Sequence, residues 1–432
     1  MDRVRSVMTI HNLAYQGRFW HVDMPLTGLD WQYFNFHQME FHGELNLMKT
    51  GIAFANTVTT VSPTYAREIT LPEFGCGLEA SLKARGDQLV GIVNGVDYAQ
   101  WNPKTDQHLP ANYSVDDWQV GKAQCKHALQ QELGLEVDPA LPLIGIVSRL
   151  ADQKGWDLII PLLEHWVTSR DVQWAILGTG DPHYEAQLRQ LAQQAPHRLA
   201  LRLEFSEQAA HRIEAACDMF LMPSRYEPCG LNQLYSLKYG SVPVVHTTGG
   251  LADTVRDASP ANLLNKSATG FRFDDYSLVG LERAVNKAVD SYLHNQPQWA
   301  QIVETGMRDD WSWEQSASAT WKSSTALSTE NIPQDEMQSP IMAQQREDST
   351  SSEMRHDWLA DRWVIMAPQR SARPNDYVIG PTRVGQCELP VLCRTRRLHA
   401  CGRCHLQTCL PPGSEPIIKL VASISERARC SQ

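Results

Sequence analysis

The sequence lacks a long apolar segment and lacks an excess of positive charge. No apolar stretch approaches the roughly 20 residues that a membrane-spanning helix needs, and the longest, at 141–147, ends in Ser148 and Arg149. Residues 1–12 contain no apolar signal core. The net charge of −10 argues against nucleic acid or an anionic lipid surface as the main partner. We therefore expect a cytoplasmic protein that binds neither nucleic acid nor membranes.

Cysteine is sparse over most of the chain and crowded near its end. Four of the ten cysteines are scattered over the first 330 residues, which is typical of reduced thiols in a cytosolic protein. The other six lie between Cys387 and Cys430. Cys401 and Cys404, with a histidine on either side, resemble half of a zinc knuckle, but no second pair completes the set. We expect neither a metal nor a cofactor.

The length and the changes in composition predict several domains. Residues 1–95 mix short apolar runs with turn signals, and 96–305 alternate strand and helix patterns. A short helical segment follows at 306–327. Residues 328–353 are rich in Ser, Thr, Gln and Glu, which predicts a disordered linker. The remainder, 354–432, becomes an Arg-, Cys-, Leu- and Pro-rich tail without a period, which translation out of frame best explains.

Buried strands alternate with helices in the central region, a pattern that predicts βαβ units and a parallel sheet. Ligands of such sheets bind at the carboxyl ends of the strands, so the residues that follow each strand are the candidates for a site. The predicted strands are Leu143–Val147, Trp174–Leu177, Leu199–Phe205, Met219–Met222 and Val242–His246.

Charged side chains follow two of these strands. Arg149 and Lys154 come after the first strand, and two cations placed there can clamp a diphosphate; the alternative is an ordinary solvated loop. Glu227 follows Met219–Met222, just before a helix that begins near Gly230. We interpret this acid as a ligand for sugar hydroxyls beside a helix terminus that binds phosphate, with a helix-capping acid as the alternative.

Glycines and one histidine follow other strands. Gly178 lets a ligand or another backbone approach closely, although by itself it indicates a tight turn. Gly249 and Gly250 precede a helix and form a possible phosphate nest; the alternative is a flexible connection. His11 follows the strand-like Val7–Ile10. An isolated histidine is more often structural, but its position at a strand end favours a functional role.

Together these segments resemble the bacterial glycogen synthases and plant starch synthases, in the same order and spacing over residues 1–327. The matching stretches are HNLAYQG (11–17), TVSPTYAREI (60–69), GIVNGVD (91–97), SRLADQKG (148–155), GTGD (178–181), PSRYEPCGLNQL (223–234) and TGGLADTV (248–255). The resemblance implies an α/β fold of two Rossmann-like lobes, the GT-B type. It further implies retaining transfer of glucose from ADP-glucose to the non-reducing end of an α-1,4-glucan such as glycogen.

The resemblance also implies roles for individual residues. Arg149 and Lys154 correspond to the diphosphate clamp, Glu227 to the acid that holds the transferred glucose, and His11 to the N-lobe residue at the reacting centre. Tyr235 replaces a ribose-binding Glu of related families, as it does in glucan synthases. Further substrate contacts are implied at Asn94, Gly178, Phe205 (against the adenine), Cys229, Gly230, Leu231, Thr248, Gly249 and Gly250.

Two features depart from that family. Its members begin with a Lys-x-Gly-Gly loop that grips the donor phosphate, and no such loop precedes His11. We therefore expect an incomplete N-lobe, and a non-catalytic remnant or gene-fusion product that only binds nucleotide remains the alternative. Residues 354–377 resemble the start of galactose-1-phosphate uridylyltransferases. The catalytic His-Pro-His of that family is absent, so its activity is not expected.

Overall fold

The computed structural model describes residues 6–318 and the backbone of two later strands. Nearly all of the predicted linker and most of the tail, including Cys401 and Cys404, lie outside the described residues. The chain divides into two compact units, Met1–Asn331 and Ile332–Gln432. No helix in the described part is long and apolar enough to cross a membrane.

The first lobe, here called the N-lobe, comprises residues 6–91. Its strands Val7–Ile10 (β1), Thr57–Thr60 (β5) and Leu89–Gly91 (β6) form a parallel sheet of order β1-β5-β6. The strands Arg18–Trp20 (β2), Glu40–Phe41 (β3) and Glu44–Asn46 (β4) form a small antiparallel sheet of order β2-β4-β3. Short 3-10 helices lie at His21–Thr27, Trp31–Tyr33 and Gly86–Gln88. The α-helices of the lobe are α1 (Leu47–Phe54), α2 (Pro63–Glu68) and α3 (Glu79–Lys83).

The second lobe, here called the C-lobe, comprises residues 118–308 and contains a six-stranded parallel sheet. Its elements are α4 (Trp118–Leu133), β7 (Leu143–Val147), α5 (Trp156–Trp166), β8 (Gln173–Leu177), α6 (Pro182–Gln194), β9 (Leu199–Arg202), α7 (Glu207–Ala216), β10 (Met219–Met222), α8 (Asn232–Tyr239), β11 (Val242–His246), α9 (Gly249–Thr254), α10 (Pro260–Leu264), β12 (Phe271–Phe273), α11 (Leu278–His294) and α12 (Gln296–Arg308). A 3-10 turn at Asp152–Lys154 precedes α5. In the second compact unit, β13 (Glu353–Asp357) and β14 (Arg362–Met366) form an antiparallel hairpin.

The strand order of the C-lobe sheet, β12-β11-β10-β7-β8-β9, creates a crevice between β7 and β10. From β7 the chain proceeds outward to β9, and from β10 it proceeds outward in the other direction. Loops that leave the carboxyl ends of β7 and β10 therefore diverge and leave room for a ligand. Every residue of β8, β10 and β11 is buried, because helices cover both faces of the sheet.

The predicted strands at Leu143–Val147, Met219–Met222 and Val242–His246 are confirmed with the same boundaries. The strand predicted at Leu199–Phe205 is wrong at its end, since β9 stops at Arg202. The physical reason is the start of α7. Ser206 caps that helix by accepting a hydrogen bond from the Ala209 N–H, so the preceding residues must form a turn and leave the sheet.

The lobes contact each other in several regions. Helix α2 lies against α9, where the backbone N–H and hydroxyl of Thr64 donate to the two carboxylate oxygens of Asp253 at 2.7 and 2.6 Å. The segment after α12 returns to the connection between the lobes. There the Val96 N–H donates to the Trp311 carbonyl at 2.7 Å, and residues 313–318 are helical.

Candidate active site

A cavity of about 150 Å³ opens at the carboxyl ends of β7 and β10. Both strands feed loops into it, because they are neighbours at the point where the strand order reverses. Arg149 and Lys154 reach it from the loop after β7, and Glu227 reaches it from the loop after β10. The other lining residues are Ile146, Val147, Ser148, Leu221, Met222, Ser224, Gly230, Leu231 and Asn232.

Lys154 and Glu227 form an ion pair inside this cavity. The Lys154 Nζ lies 2.6 Å from Glu227 Oε2, and the Ser224 hydroxyl donates to the same oxygen at 3.0 Å. The Glu227 side chain is only 7% exposed, so its charge requires these partners. The two loops are also joined by their backbones, since the Arg225 N–H donates to the Gln153 carbonyl at 2.9 Å.

Arg149 is exposed, and its hydrogen-bond partners in the described part of the chain are neutral groups at long distance. One nitrogen of its guanidinium lies 3.4 Å from the Tyr15 hydroxyl of the N-lobe, and another lies 3.3 Å from Gln153 Oε1. No carboxylate pairs with it within residues 6–318. The cavity thus contains two cations and one carboxylate, next to the N-terminus of α8, where Leu231 is the capping residue. This arrangement suits an anionic ligand such as a diphosphate.

The glycines after β8 serve a close approach of two backbones. A Cβ atom at Gly178 would lie 1.8 Å from the Ser148 carbonyl oxygen, and one at Gly180 would lie 2.3 Å from the Leu150 oxygen. The Leu150 N–H donates to the Thr179 carbonyl at 2.9 Å. Gly178 therefore allows the close approach of another backbone, that of the loop that carries Arg149.

The Thr248–Gly250 segment hydrogen-bonds to the loop that carries Glu227. The Gly250 N–H donates to the Glu227 carbonyl at 2.9 Å. A Cβ atom at Gly250 would lie 1.9 Å from the Cys229 carbonyl oxygen. The Gly249 N–H donates to the carboxylate of Glu68 at 2.9 Å. Thr248, Gly249 and Gly250 are not among the described residues that line the cavity.

The segment after β1 reaches the C-lobe loops from the N-lobe side. His11 is exposed there, and the Leu13 N–H donates to the Tyr65 hydroxyl at 3.0 Å. Asn12 lies next to Tyr226, which immediately precedes Glu227. The His11 segment therefore meets the loop that carries the cavity's carboxylate.

Three other predicted site residues lie apart from the cavity. Phe205 is 87% exposed on the connection before α7. Cys229 is buried, and its thiol hydrogen-bonds to the backbone of Asn94 in the interlobe connection. Burial raises the pKa of the Cys229 thiol to about 12, so it remains protonated and unreactive at neutral pH.

Sequence reasoning missed four residues that line the cavity or contact the segments around it: Ser224, Tyr226, Tyr15 and Glu68. Ser224 donates a hydrogen bond to Glu227, and Tyr226 immediately precedes that residue. Each of the four lies inside a segment already singled out by its motif. The available signal was therefore a polar side chain within a matched segment, but nothing local showed which atom it would contact.

Comparisons with known proteins cover both lobes. Residues 1–84 match the starch synthase catalytic domain family, and residues 133–307 match the glycosyl transferases group 1 family. Glycogen synthase from Rhodopirellula baltica is 51% identical over 315 residues, covering 73% of this chain and 62% of the relative. Glycogen synthase from an Anaeromyxobacter species is 49% identical over 315 residues, covering 73% of this chain and 65% of the relative.

A solved structure shows the same fold. The catalytic domain of starch synthase IV from Arabidopsis thaliana, bound to ADP and acarbose, superposes with a TM-score of 0.70 at 35% identity. The match covers 74% of this chain and 66% of that one. This chain thus spans a little under two thirds of the length of the curated relatives. The predicted GT-B fold is confirmed, and the chain belongs to the glycogen and starch synthase family of glycosyltransferases.

Proposed function

We propose that this protein transfers glucose from ADP-glucose to the non-reducing end of an α-1,4-glucan such as glycogen, with retention of the anomeric configuration. The observation that carries the proposal is the cavity in which Lys154 pairs with Glu227 beside the exposed Arg149. The names of the relatives support glucan synthesis. The related starch synthase structure, which is bound to ADP and acarbose, supports a nucleotide and a glucan-like ligand.

The charges of the cavity suit the proposed reaction. As the bond to glucose breaks, the departing diphosphate gains negative charge, which Arg149 and Lys154 would stabilise. Glu227 would accept hydrogen bonds from the sugar hydroxyls. Its pairing with Lys154 holds both side chains in place before the donor binds. His11 would contribute to the reacting centre from the N-lobe.

The remaining residues take graded roles in this proposal. Gly230 and Leu231 line the cavity and would contact the donor directly through their backbone. Gly178, Cys229, Thr248, Gly249 and Gly250 would act by supporting the loops that carry the charged groups. Asn94 would support Cys229 from the interlobe connection. Phe205 would contact the adenine from its exposed position before α7.

The domain organisation and the location are part of the same proposal. Residues 1–95 would supply the acceptor side and 96–305 the donor side, with 306–327 returning to the N-lobe. The hydrogen bond from the Ser316 hydroxyl to the Val93 carbonyl, at 2.6 Å, supports that return. A cytoplasmic location is proposed because all four described cysteines are free thiols.

The test is a transfer assay combined with a binding measurement. The 432-residue chain is incubated with ADP-[14C]glucose and glycogen, and the precipitated glycogen is digested with an exo-α-1,4-glucosidase. We expect incorporated label that the glucosidase releases, and we expect calorimetry to show ADP binding. Lys154→Ala serves as the control with an impaired site, and UDP-glucose tests the choice of nucleotide. Absence of incorporation would overturn the proposed activity, and absence of ADP binding would overturn the donor site.

A further inference from the structure

Helix α2 contacts the His11 segment directly, and it contacts the Thr248–Gly250 segment that supports the Glu227 loop. At its middle, Tyr65 is 2% exposed, and its hydroxyl accepts a hydrogen bond from the Leu13 N–H at 3.0 Å. That bond holds the segment that begins with His11. The buried tyrosine ring has no freedom to move away, so the position of this segment follows the position of α2.

The last residue of α2 contacts the Thr248–Gly250 segment. Glu68 Oε1 accepts two hydrogen bonds, from the Thr248 hydroxyl at 3.0 Å and from the Gly249 N–H at 2.9 Å. The next residue, Gly250, donates its N–H to the Glu227 carbonyl at 2.9 Å. A continuous path of hydrogen bonds therefore leads from the N-lobe carboxylate to the backbone of the acid in the cavity.

This path is tightly packed. A Cβ atom at Gly249 would lie 2.0 Å from the Glu227 carbonyl oxygen, so the two backbones touch without an intervening side chain. Gly249 also has a φ of +43°, which a residue with a side chain adopts only at a cost. A shift of the Thr248–Gly250 segment would consequently be passed on to Glu227 and would not be absorbed between them.

Glu68 is costly for stability alone. Its second carboxylate oxygen, Oε2, is buried and has no hydrogen-bond partner in the part of the chain that the structure describes. None of the ion pairs found within residues 6–318 includes Glu68. A buried acceptor without a partner destabilises the folded state, so its presence calls for a role other than stability. Helix α2 is in any case docked on α9 by the separate contact between Thr64 and Asp253.

We propose that Glu68 is an interlobe positioning residue, which sets the place of Glu227 relative to the His11 segment. The inference rests on the proposed function, because it assumes that these two loops act on one substrate. Glu68 does not touch the cavity and is not assigned a catalytic role. Its removal should disturb the alignment of groups from the two lobes and leave the cations of the C-lobe where they are.

The experiment compares three variants of the full chain. Glu68→Ala removes the acceptor of both hydrogen bonds, and Glu68→Gln keeps a carbonyl oxygen in the same place. Glu73→Ala is the matched control, because Glu73 is an exposed acid a few residues away. Four quantities are measured: hydrogen exchange of the peptide that contains Gly249 and Gly250, the dissociation constant of ADP, and kcat and KM for glucosyl transfer.

We expect Glu68→Ala to speed exchange at Gly249 and to lower kcat about 10-fold or more, since misplacement of a reacting group by an ångström can cost this much. The ADP dissociation constant should change less than about 2-fold, because the cations of the C-lobe stay in place. Loss of a contact worth ~1.4 kcal/mol would change that constant tenfold. Glu68→Gln should keep kcat and the hydrogen exchange of Gly249 close to those of the parent chain, and so should Glu73→Ala.

Several results would overturn the positioning role. One is unchanged exchange and kcat in Glu68→Ala. Another is a parallel loss of ADP affinity and kcat, which would indicate general damage to the donor site. A third is a loss of kcat and faster exchange at Gly249 in Glu68→Gln as large as in Glu68→Ala. If the parent chain transfers no glucose, the proposed function fails separately, and the exchange of Gly249 together with ADP affinity still decides the role of Glu68.

Discussion

The ammonium group of Lys154 lies 2.6 Å from the carboxylate of Glu227, although the two residues are 73 positions apart in the chain. They leave different strands of one sheet and meet where the strand order reverses. The two side chains, 19% and 7% exposed, balance each other's charge. A donor diphosphate that enters this cavity would compete with Glu227 for Lys154, so the two residues should respond differently to substitution.

Glu227→Ala should abolish most glucosyl transfer and leave ADP binding intact. Loss of one preorganised polar contact to the reacting sugar commonly costs about 10²–10³ in rate. ADP affinity should be maintained, because Lys154 no longer has a competing carboxylate. Transfer kinetics and calorimetry with ADP check both statements, with the exposed Glu164→Ala as the matched control. Near-normal transfer by Glu227→Ala would contradict the role assigned to the carboxylate.

Lys154→Met should weaken ADP binding and destabilise the protein as well. Removal of the ammonium leaves Glu227 buried with, among the described residues, only the Ser224 hydroxyl as a side-chain partner. Breaking a fully buried ion pair costs about 3–5 kcal/mol, and the partial exposure of Lys154 reduces this to about 1–3 kcal/mol. The measurements are the urea midpoint and the ADP dissociation constant. The double variant with Glu227→Gln should regain stability without regaining ADP affinity; if it remained as unstable as the single variant, the pairing argument would be wrong.

Gly178→Ala should disrupt the loop that carries Arg149. The added Cβ would lie 1.8 Å from the Ser148 carbonyl oxygen, which is impossible without a backbone shift. Gly134→Ala is the matched control, because Gly134 has a φ of +68° with nothing within 4 Å of the added atom. The control should cost only about 1–2 kcal/mol from the left-handed backbone. We expect a clearly larger fall in melting temperature and ADP affinity for Gly178→Ala, and equal effects would rule out the steric explanation.

Alkylation should separate the described cysteines by burial. Cys76 is exposed, whereas Cys125, Cys217 and Cys229 are buried. Burial also raises the pKa of the Cys229 thiol to about 12, so almost no thiolate forms at pH 8. Iodoacetamide at pH 8 should modify Cys76 well before the other three, as measured by peptide mass spectrometry. Rapid modification of Cys229 in the folded protein would contradict the burial of its thiol.

Much of the C-lobe could be predicted from the sequence because its signals are local. Strands such as Leu143–Val147 are short apolar runs bounded by turn residues, and this pattern needs no knowledge of distant parts of the chain. The order of strands and helices then predicted a parallel sheet and a ligand crevice at the carboxyl ends. Arg149, Lys154 and Glu227 could be placed at that edge by the same argument.

Only the tertiary structure decided which atoms meet. The bond between Glu68 and Gly249 joins residues 181 positions apart, and such a contact leaves no periodic pattern in the sequence. The end of β9 likewise depends on the cap of α7, which overrides the alternating apolar pattern of Leu203 and Phe205. Strand and helix type follow from local hydrophobic patterning, whereas hydrogen-bond partners are selected by the packing of whole elements, here α2 against α9. The sequence by itself therefore determined the elements and the edge of the sheet that carries the site, and the packing of the two lobes decided how the site is held together.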